Sequence, residues 1–285
     1  MEESSIKKSY YQKKPVKCPV CEASFQKEEM LSGRGRLIAK DITDELRRVY
    51  EPSKKAGETY PLIYPVTVCP DCFYSAYPED FQLIKSDSIP AALSQKEKRK
   101  RDINLIFPIV DFRKARNLIT GTASHILAVG CYSFQHKECA PTFKKAMSTL
   151  RAAWLFGDLN KRYPGQNYDR ISIIMYKKAM NYYERTTNYA QTGEERIDAV
   201  KHFGPDLDKN YGFEGVLFMS TLLLFKYGDQ GSNEQIIQKL QKAKRIVSRI
   251  FGTGKSSKRK PSFILELAKN LYKKITTKIA ELKEG

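Results

Sequence analysis

Four of the six cysteines fall in two identical spacings, Cys18-Pro19-Val20-Cys21 and Cys69-Pro70-Asp71-Cys72. Each places two thiols on one tight turn. Two such turns brought face to face offer four soft donors in a tetrahedron, the geometry and spacing of a closed structural Zn²⁺ site. The stretch between them, Glu22 to Val68, is long for a compact zinc ribbon and implies a small β-rich insert looped out from the knuckles. Lengthening a loop adds only a logarithmic entropy cost, whereas a structural zinc contributes roughly 10–16 kcal/mol in peptide models. Disulfides suit an exported chain, but Met1 to Lys8 lacks the apolar segment of a signal peptide. A redox pair does not explain two copies with proline after each first cysteine. The expectation is one structural zinc on Cys18, Cys21, Cys69 and Cys72, with no position left for water and therefore no catalysis at the metal.

Other constellations are weaker. Cys131, His136 and Cys139 form C-x4-H-x2-C but lack a fourth ligand, since His125 lies off the helical face of Cys131, and buried cysteines are common in helical cores. Gly254-Lys255-Ser256 imitates the end of a phosphate loop, but Arg249 stands where that loop needs glycine. The three histidines, His125, His136 and His202, sit in unrelated contexts, so no nucleophile has a nameable base. Asp41 and Asp44 read as turn residues whose side chains bond to backbone. Nothing here builds an enzyme.

Around the knuckles the chain reads as short strands and turns. Met1 to Lys14 is polar and lysine-rich, a mobile tail. Ala23-Ser24-Phe25 leaves the first knuckle as a strand, Gly33-Arg34-Gly35-Arg36 turns into another, and Tyr64 to Val68 leads β-branched residues into the second. Pro78-Glu79-Asp80-Phe81 opens a short helix, with acids opposing its dipole.

The segment Val66-Thr67-Val68-Cys69-Pro70-Asp71-Cys72-Phe73-Tyr74-Ser75-Ala76, with Cys18-Pro19-Val20-Cys21 and Phe25, resembles an uncharacterised bacterial family. Its members carry a CPxC knuckle, an insert with Asp and Tyr (here Asp41, Asp44, Tyr50 and Tyr60), a VCPxCGYAA-like knuckle, and helices similar to tetratricopeptide repeats. The resemblance covers residues 15 to 85 with specific motifs and the rest by helical character alone. It implies a zinc-binding fold and no particular reaction. Where the family has glycine after each second cysteine, this chain has Glu22 and Phe73, so these turns must be strained or differently shaped.

Ser94 to Arg101 is a charge run on a connecting, solvated helix. Beyond it the apolar period becomes helical over 112–133, 141–163, 168–190, 211–227, 233–251 and 261–283, with breaks at Pro164-Gly165, Gly204-Pro205, Gly228 to Gly231 and Gly252 to Lys260. Phe143-Lys144-Lys145-Ala146-Met147 recurs as Tyr176-Lys177-Lys178-Ala179-Met180, and Leu240 to Ala243 is echoed at Tyr272 to Ile275. A period near 34 with an aromatic three before a small residue suggests a degenerate tetratricopeptide-like repeat, an ordinary helical bundle being the competing account. Ile264, Ala268, Leu271, Ile275, Ile279 and Leu282 give the last helix one apolar stripe, as a terminal cap requires.

The fold class expected is therefore α+β: a zinc-ribbon-like β-rich head over 15–87, a connecting helix over 88–110, and an all-α, repeat-like helical hairpin array over 111–285. The formal charge is +18, and 11 of it lies in residues 235–285, where 14 basic side chains face three acidic ones. No apolar run spans a bilayer, which, with no export signal, points to the cytoplasm. The function expected is a non-catalytic adaptor that holds a protein or peptide through its helical groove and through Tyr74 and Tyr77 beside the knuckles. The alternative is nucleic-acid binding by Arg34, Arg36, Arg47 and Arg48 with Tyr50 and Phe73, together with the basic C-terminus.

Overall fold

The computed structural model describes residues 6–198, 200–251 and 262–284. Gly254-Lys255-Ser256 lies outside them. The amino-terminal third carries eight short strands: β1 (Ser9–Tyr11), β2 (Val16–Lys17), β3 (Ser24–Phe25), β4 (Glu28–Met30), β5 (Ile38–Ile42), β6 (Arg48–Glu51), β7 (Thr67–Val68) and β8 (Ser75–Ala76). They pair as four antiparallel ribbons, β1–β4, β2–β3, β5–β6 and β7–β8. Two-stranded ribbons of this length do not stand alone in water. The β1–β4, β2–β3 and β7–β8 ribbons hold because their apolar residues join one continuous core with the helices, to which β5 and β6 contribute none.

Among the described residues eight α-helices follow: α1 (Ile89–Ser94), α2 (Lys96–Asn104), α3 (Leu118–Cys131), α4 (Pro141–Arg162), α5 (Tyr168–Thr192), α6 (Gly212–Tyr227), α7 (Asn233–Phe251) and α8 (Ser262–Glu284). From α3 onward each packs against its successor. Their ends follow local chemistry. Asn117 caps α3 by accepting from the Thr120 amide at 2.9 Å while the Thr120 hydroxyl accepts from the Asn117 amide, a reciprocal capping box. Pro141 opens α4, where its missing N–H is no loss, and Gly193 closes α5 at φ 74°. Helix α4 is buried on nearly every side, by Phe143, Leu150, Trp154, Leu155 and Phe156 among others, because it lies between α3, α5 and the head.

Several expectations change. The described part of the amino-terminal tail is tied in: Ser9, Tyr10 and Tyr11 pair with Met30, Glu29 and Glu28, and the Tyr10 hydroxyl donates to Glu29 at 2.7 Å. The charge run is not wholly solvated. Arg99 and Ile103 are buried, and the Arg99 guanidinium donates to the Cys72 carbonyl from Nε at 3.0 Å and Nη2 at 2.8 Å. Residues 78–82 form turns instead of a helix, since Asp80 N–H bonds back only three residues, to Tyr77 O, and Leu83 N–H likewise to Asp80 O. The sequence echo also has another meaning. Phe143 and Tyr176 lie on successive helices, α4 and α5, as do Leu240 and Tyr272 on α7 and α8. Shifts of 33 and 32 residues thus measure one long helix and its connection, not the two short helices of a tetratricopeptide repeat.

Head and body meet tightly at Gly121 on α3. A Cβ built there would lie 2.3 Å from the Ile63 Cβ and 2.7 Å from its Cα. Only glycine lets the two backbones approach so closely.

Candidate metal centre

Both knuckles are built alike. In the first, β2 and β3 pair through Val16↔Phe25 and Lys17↔Ser24; in the second, β7 and β8 pair through Thr67↔Ala76 and Val68↔Ser75. The Cys18 amide donates to Ala23 O at 2.9 Å and Glu22 N–H to Cys18 O at 3.0 Å. Cys69 N–H to Tyr74 O and Phe73 N–H to Cys69 O, each at 2.9 Å, repeat the pattern. Closing such a turn demands a left-handed residue after the second cysteine. Glu22 and Phe73 supply it at φ 61° and 59°. The turns therefore keep the shape that glycine would allow, and the strain falls on these two side chains.

The knuckles face each other. Cys18 and Cys72 sulfurs lie 3.7 Å apart, Cys21 and Cys69 sulfurs 3.5 Å, and all four lie within 4.8 Å of one another. A tetrahedron with sulfur arms of about 2.3 Å has edges of about 3.8 Å. The four thiols thus already stand at coordination distance. None forms a disulfide. Backbone N–H groups turn toward the sulfurs: Val20 N–H reaches Cys18 at 3.4 Å, and Cys21, Ala23, Cys72 and Tyr74 act likewise on Cys18, Cys21, Cys69 and Cys72. Such donors favour negative sulfur. At Cys18 and Cys72 a neighbouring thiol opposes ionisation, whereas at Cys21 the other three sulfurs favour it. Cys18 is pushed up to about 12, first by its contact with Cys69, and Cys72 to about 12, first by its contact with Cys18. A cation removes that opposition. Cys18, Cys69 and Cys72 are fully buried and Cys21 is half-buried. This cluster can hold a metal ion, and among the described residues no other group of three or more His, Cys, Asp or Glu side chains can.

A family model described as "Uncharacterized protein conserved in bacteria (DUF2225)" matches residues 10–275. The chain belongs to this bacterial family. A relative from Borreliella burgdorferi, itself described only as an uncharacterized protein, is 41% identical over 276 residues, covering 96% of this chain and 99% of its own. No solved structure matches the chain. The family resemblance seen in the knuckle motifs leads to the same place.

The remaining sequence candidates of this DUF2225 chain separate. Tyr74 and Tyr77, expected as exposed contact residues, are 0% and 3% exposed. The Tyr74 hydroxyl accepts from Gln135, and that of Tyr77 accepts from Ser148 at 3.0 Å and Arg151 at 3.1 Å, so both serve the core. Cys131 lies under the second knuckle, 4.0 Å from Phe73 O, while His136 is half exposed beside Glu138; with Cys139 they form no ligand set. Of the head cations expected to meet phosphates, Arg36 donates to Lys7 O and Gly33 O, Arg47 pairs with Asp158, and Arg48 pairs with Asp208 at 2.7 Å. Phe73 is buried edge-on to Phe112 at 5.0 Å. Only Arg34 stays exposed. Asp44 pairs with Lys226 at 2.9 Å, a partner 182 positions on in the numbering. Beside it, Glu45, Trp154 and Tyr176 converge on one another. No periodicity pointed to that group, because its members come from four distant segments.

No described helix is long and apolar enough to cross a membrane.

Proposed function

We propose that this protein is a non-catalytic binding scaffold in which one structural Zn²⁺, held by Cys18, Cys21, Cys69 and Cys72, fastens the β-hairpin head to the helical body, whose surface takes a protein or peptide partner. One observation supports the reading above others: the four sulfurs already stand within 4.8 Å, three of their residues fully buried. A tetrahedral ion placed there has every position filled by thiolate and none for a water nucleophile. Sulfur-only donors at tetrahedral spacing favour zinc over magnesium, calcium or manganese. Through Arg99 on the Cys72 carbonyl and Phe73 on Phe112, a closed second knuckle also fixes the segment joining head to body.

The test combines metal content with partner capture. One zinc per purified chain is expected, and the full chain at physiological salt retains a protein partner that the Cys69→Ser chain loses along with the metal. A second reading, polyanion binding, rests on Lys239, Lys242, Arg245 and Arg249, exposed along α7. Retention on a single-stranded oligonucleotide that falls steeply with salt, without any protein partner, would replace the scaffold reading by that one.

A further inference from the structure

The turn joining β5 to β6 carries Asp44, Glu45, Leu46 and Arg47, β6 opens on Arg48, and the rest of the protein engages all five. The Glu45 carboxylate accepts from Trp154 Nε1 at 2.6 Å, the Tyr176 hydroxyl at 2.8 Å and Lys226 Nζ at 2.9 Å, one donor each from α4, α5 and α6. Asp44 meets the same Lys226 ammonium at 2.9 Å. Leu46 is fully buried in the core and held at φ 60°, a conformation leucine rarely adopts. Then the charges reverse. Arg47 pairs with Asp158 on α4 and lies 5.6 Å over the Trp154 ring, and Arg48 donates to Asp206 from its backbone N–H and to Asp208 from its guanidinium, both at 2.7 Å.

The body therefore meets five consecutive residues by charge order: a cation for two acids, an apolar seat for leucine, carboxylates for two bases. Behind this tip the β5 strand is bare, while Arg48 and Tyr50 of β6 stay half-buried. Ile38, Ala39, Lys40 and Asp41 are all exposed, and β5 pairs only with β6. The hairpin is a stalk with its end docked. Without an occupant, the buried Asp158 carboxylate loses the Arg47 guanidinium, a costly state for charge in a core, and Asp206 keeps the Leu207 N–H but loses that of Arg48.

We propose that this surface of α4, α5, α6 and the 206–208 segment is a peptide-recognition site for a partner segment of the order acid, acid, leucine, base, base, with the chain's own tip as its intramolecular occupant in this conformation. The proposal rests on the binding-scaffold reading and names its partner's chemistry. Because the tip lies between the two knuckles, the thiol cluster at the base of that loop keeps it near the site at high effective concentration. A partner segment must outcompete it.

A fluorescent peptide of residues 41–49, Asp-Ile-Thr-Asp-Glu-Leu-Arg-Arg-Val, tests this by anisotropy against three full-length proteins: the unaltered chain, one with residues 44–47 replaced by Gly-Ser-Gly-Ser, and the milder Glu45→Gln. Saturable binding to both altered chains, at least tenfold tighter than to the unaltered chain, is expected. Adding Lys226→Met to the Gly-Ser chain should weaken it at least tenfold. If the Gly-Ser chain fails to fold, Glu45→Gln alone decides. Absence of peptide binding to every folded altered chain, or equal binding of a scrambled peptide, overturns the site. An altered chain that refuses the peptide yet keeps the partner captured by the unaltered protein overturns this site while leaving the scaffold reading standing.

Discussion

Glu22 and Phe73 occupy equivalent places in the two knuckles at nearly equal φ, yet their replacement by glycine should act with opposite signs. A left-handed backbone costs an L-residue about 1–2 kcal/mol, of which glycine returns roughly 0.5–1 through its freer unfolded chain. The net relief is about 0.5–1 kcal/mol at either site. Nothing offsets it at Glu22. Its side chain is 80% exposed, and its ion pair with Lys17 spans 3.5 Å between two solvated groups, an arrangement that contributes little. Glu22→Gly should therefore raise the melting temperature by about 1–3 °C. At Phe73 the ring is buried against Phe112 with the Lys100 ammonium 5.8 Å from its centroid. Losing a buried phenyl costs about 3–5 kcal/mol, which leaves a net destabilisation of about 2–4. Thermal and urea unfolding, followed by far-ultraviolet circular dichroism at a fixed excess of zinc, measures both. A destabilised Glu22→Gly protein, or a neutral Phe73→Gly protein, refutes the assignment of left-handed strain to these turns.

Cys69→Ser should release the metal and unfold the knuckles while helical dichroism from α3 to α8 largely persists; undiminished metal content in that protein contradicts the ligand set. Cys131→Ser should leave metal stoichiometry unchanged, and loss of one equivalent would show a second site. Gly121→Ala forces a methyl group into Ile63 and should destabilise by about 1–3 kcal/mol or more, read from the urea midpoint; a neutral result would mean that α3 and the head separate freely. His125 donates from Nε2 to Leu62 O at 2.9 Å in the neutral form, with Nδ1 buried and unpartnered. Burial first, then the Arg151 charge, lowers its pKa to about 3. Folding thus favours the neutral ring, so its contribution is complete above the unfolded value of 6.5 and is lost as pH falls toward 3. Between pH 6.5 and 4.5 the loss is about 2–3 kcal/mol. Subtracting the acid dependence of His125→Gln, which shares any metal release, isolates it; parallel curves for the two proteins would show that the ring is not buried neutral.

The knuckles were legible because their chemistry is local: two cysteines three positions apart fix a turn whatever surrounds it. Helices α4 to α8 were legible because a buried stripe of period 3.6 is written along the chain, and their breaks fall at proline and glycine. The docked tip was not. Asp44 looks like a turn residue and Arg47 like a free cation for phosphate until Lys226 and Asp158 arrive from the helices, and no short-range pattern carries a contact of that span. Tyr74 and Tyr77 misled for the same reason. Aromatics beside a zinc turn read as a contact surface, but the body buries them, and Gln135 for Tyr74 and Ser148 and Arg151 for Tyr77 supply polar partners to their hydroxyls. The echo between Phe143 and Tyr176 was real but ambiguous, because a spacing near 33 fits one long helix as well as two short ones.

Lys226 reaches Glu45 across 181 positions, so the front of the molecule cannot be completed while it is being made. At about 5–20 residues per second, the nascent chain carries its acidic tip for roughly 10–40 s before the ammonium that seats it is synthesised. Until then Glu45 has only the Trp154 and Tyr176 donors of α4 and α5, and Asp44 waits for its cation.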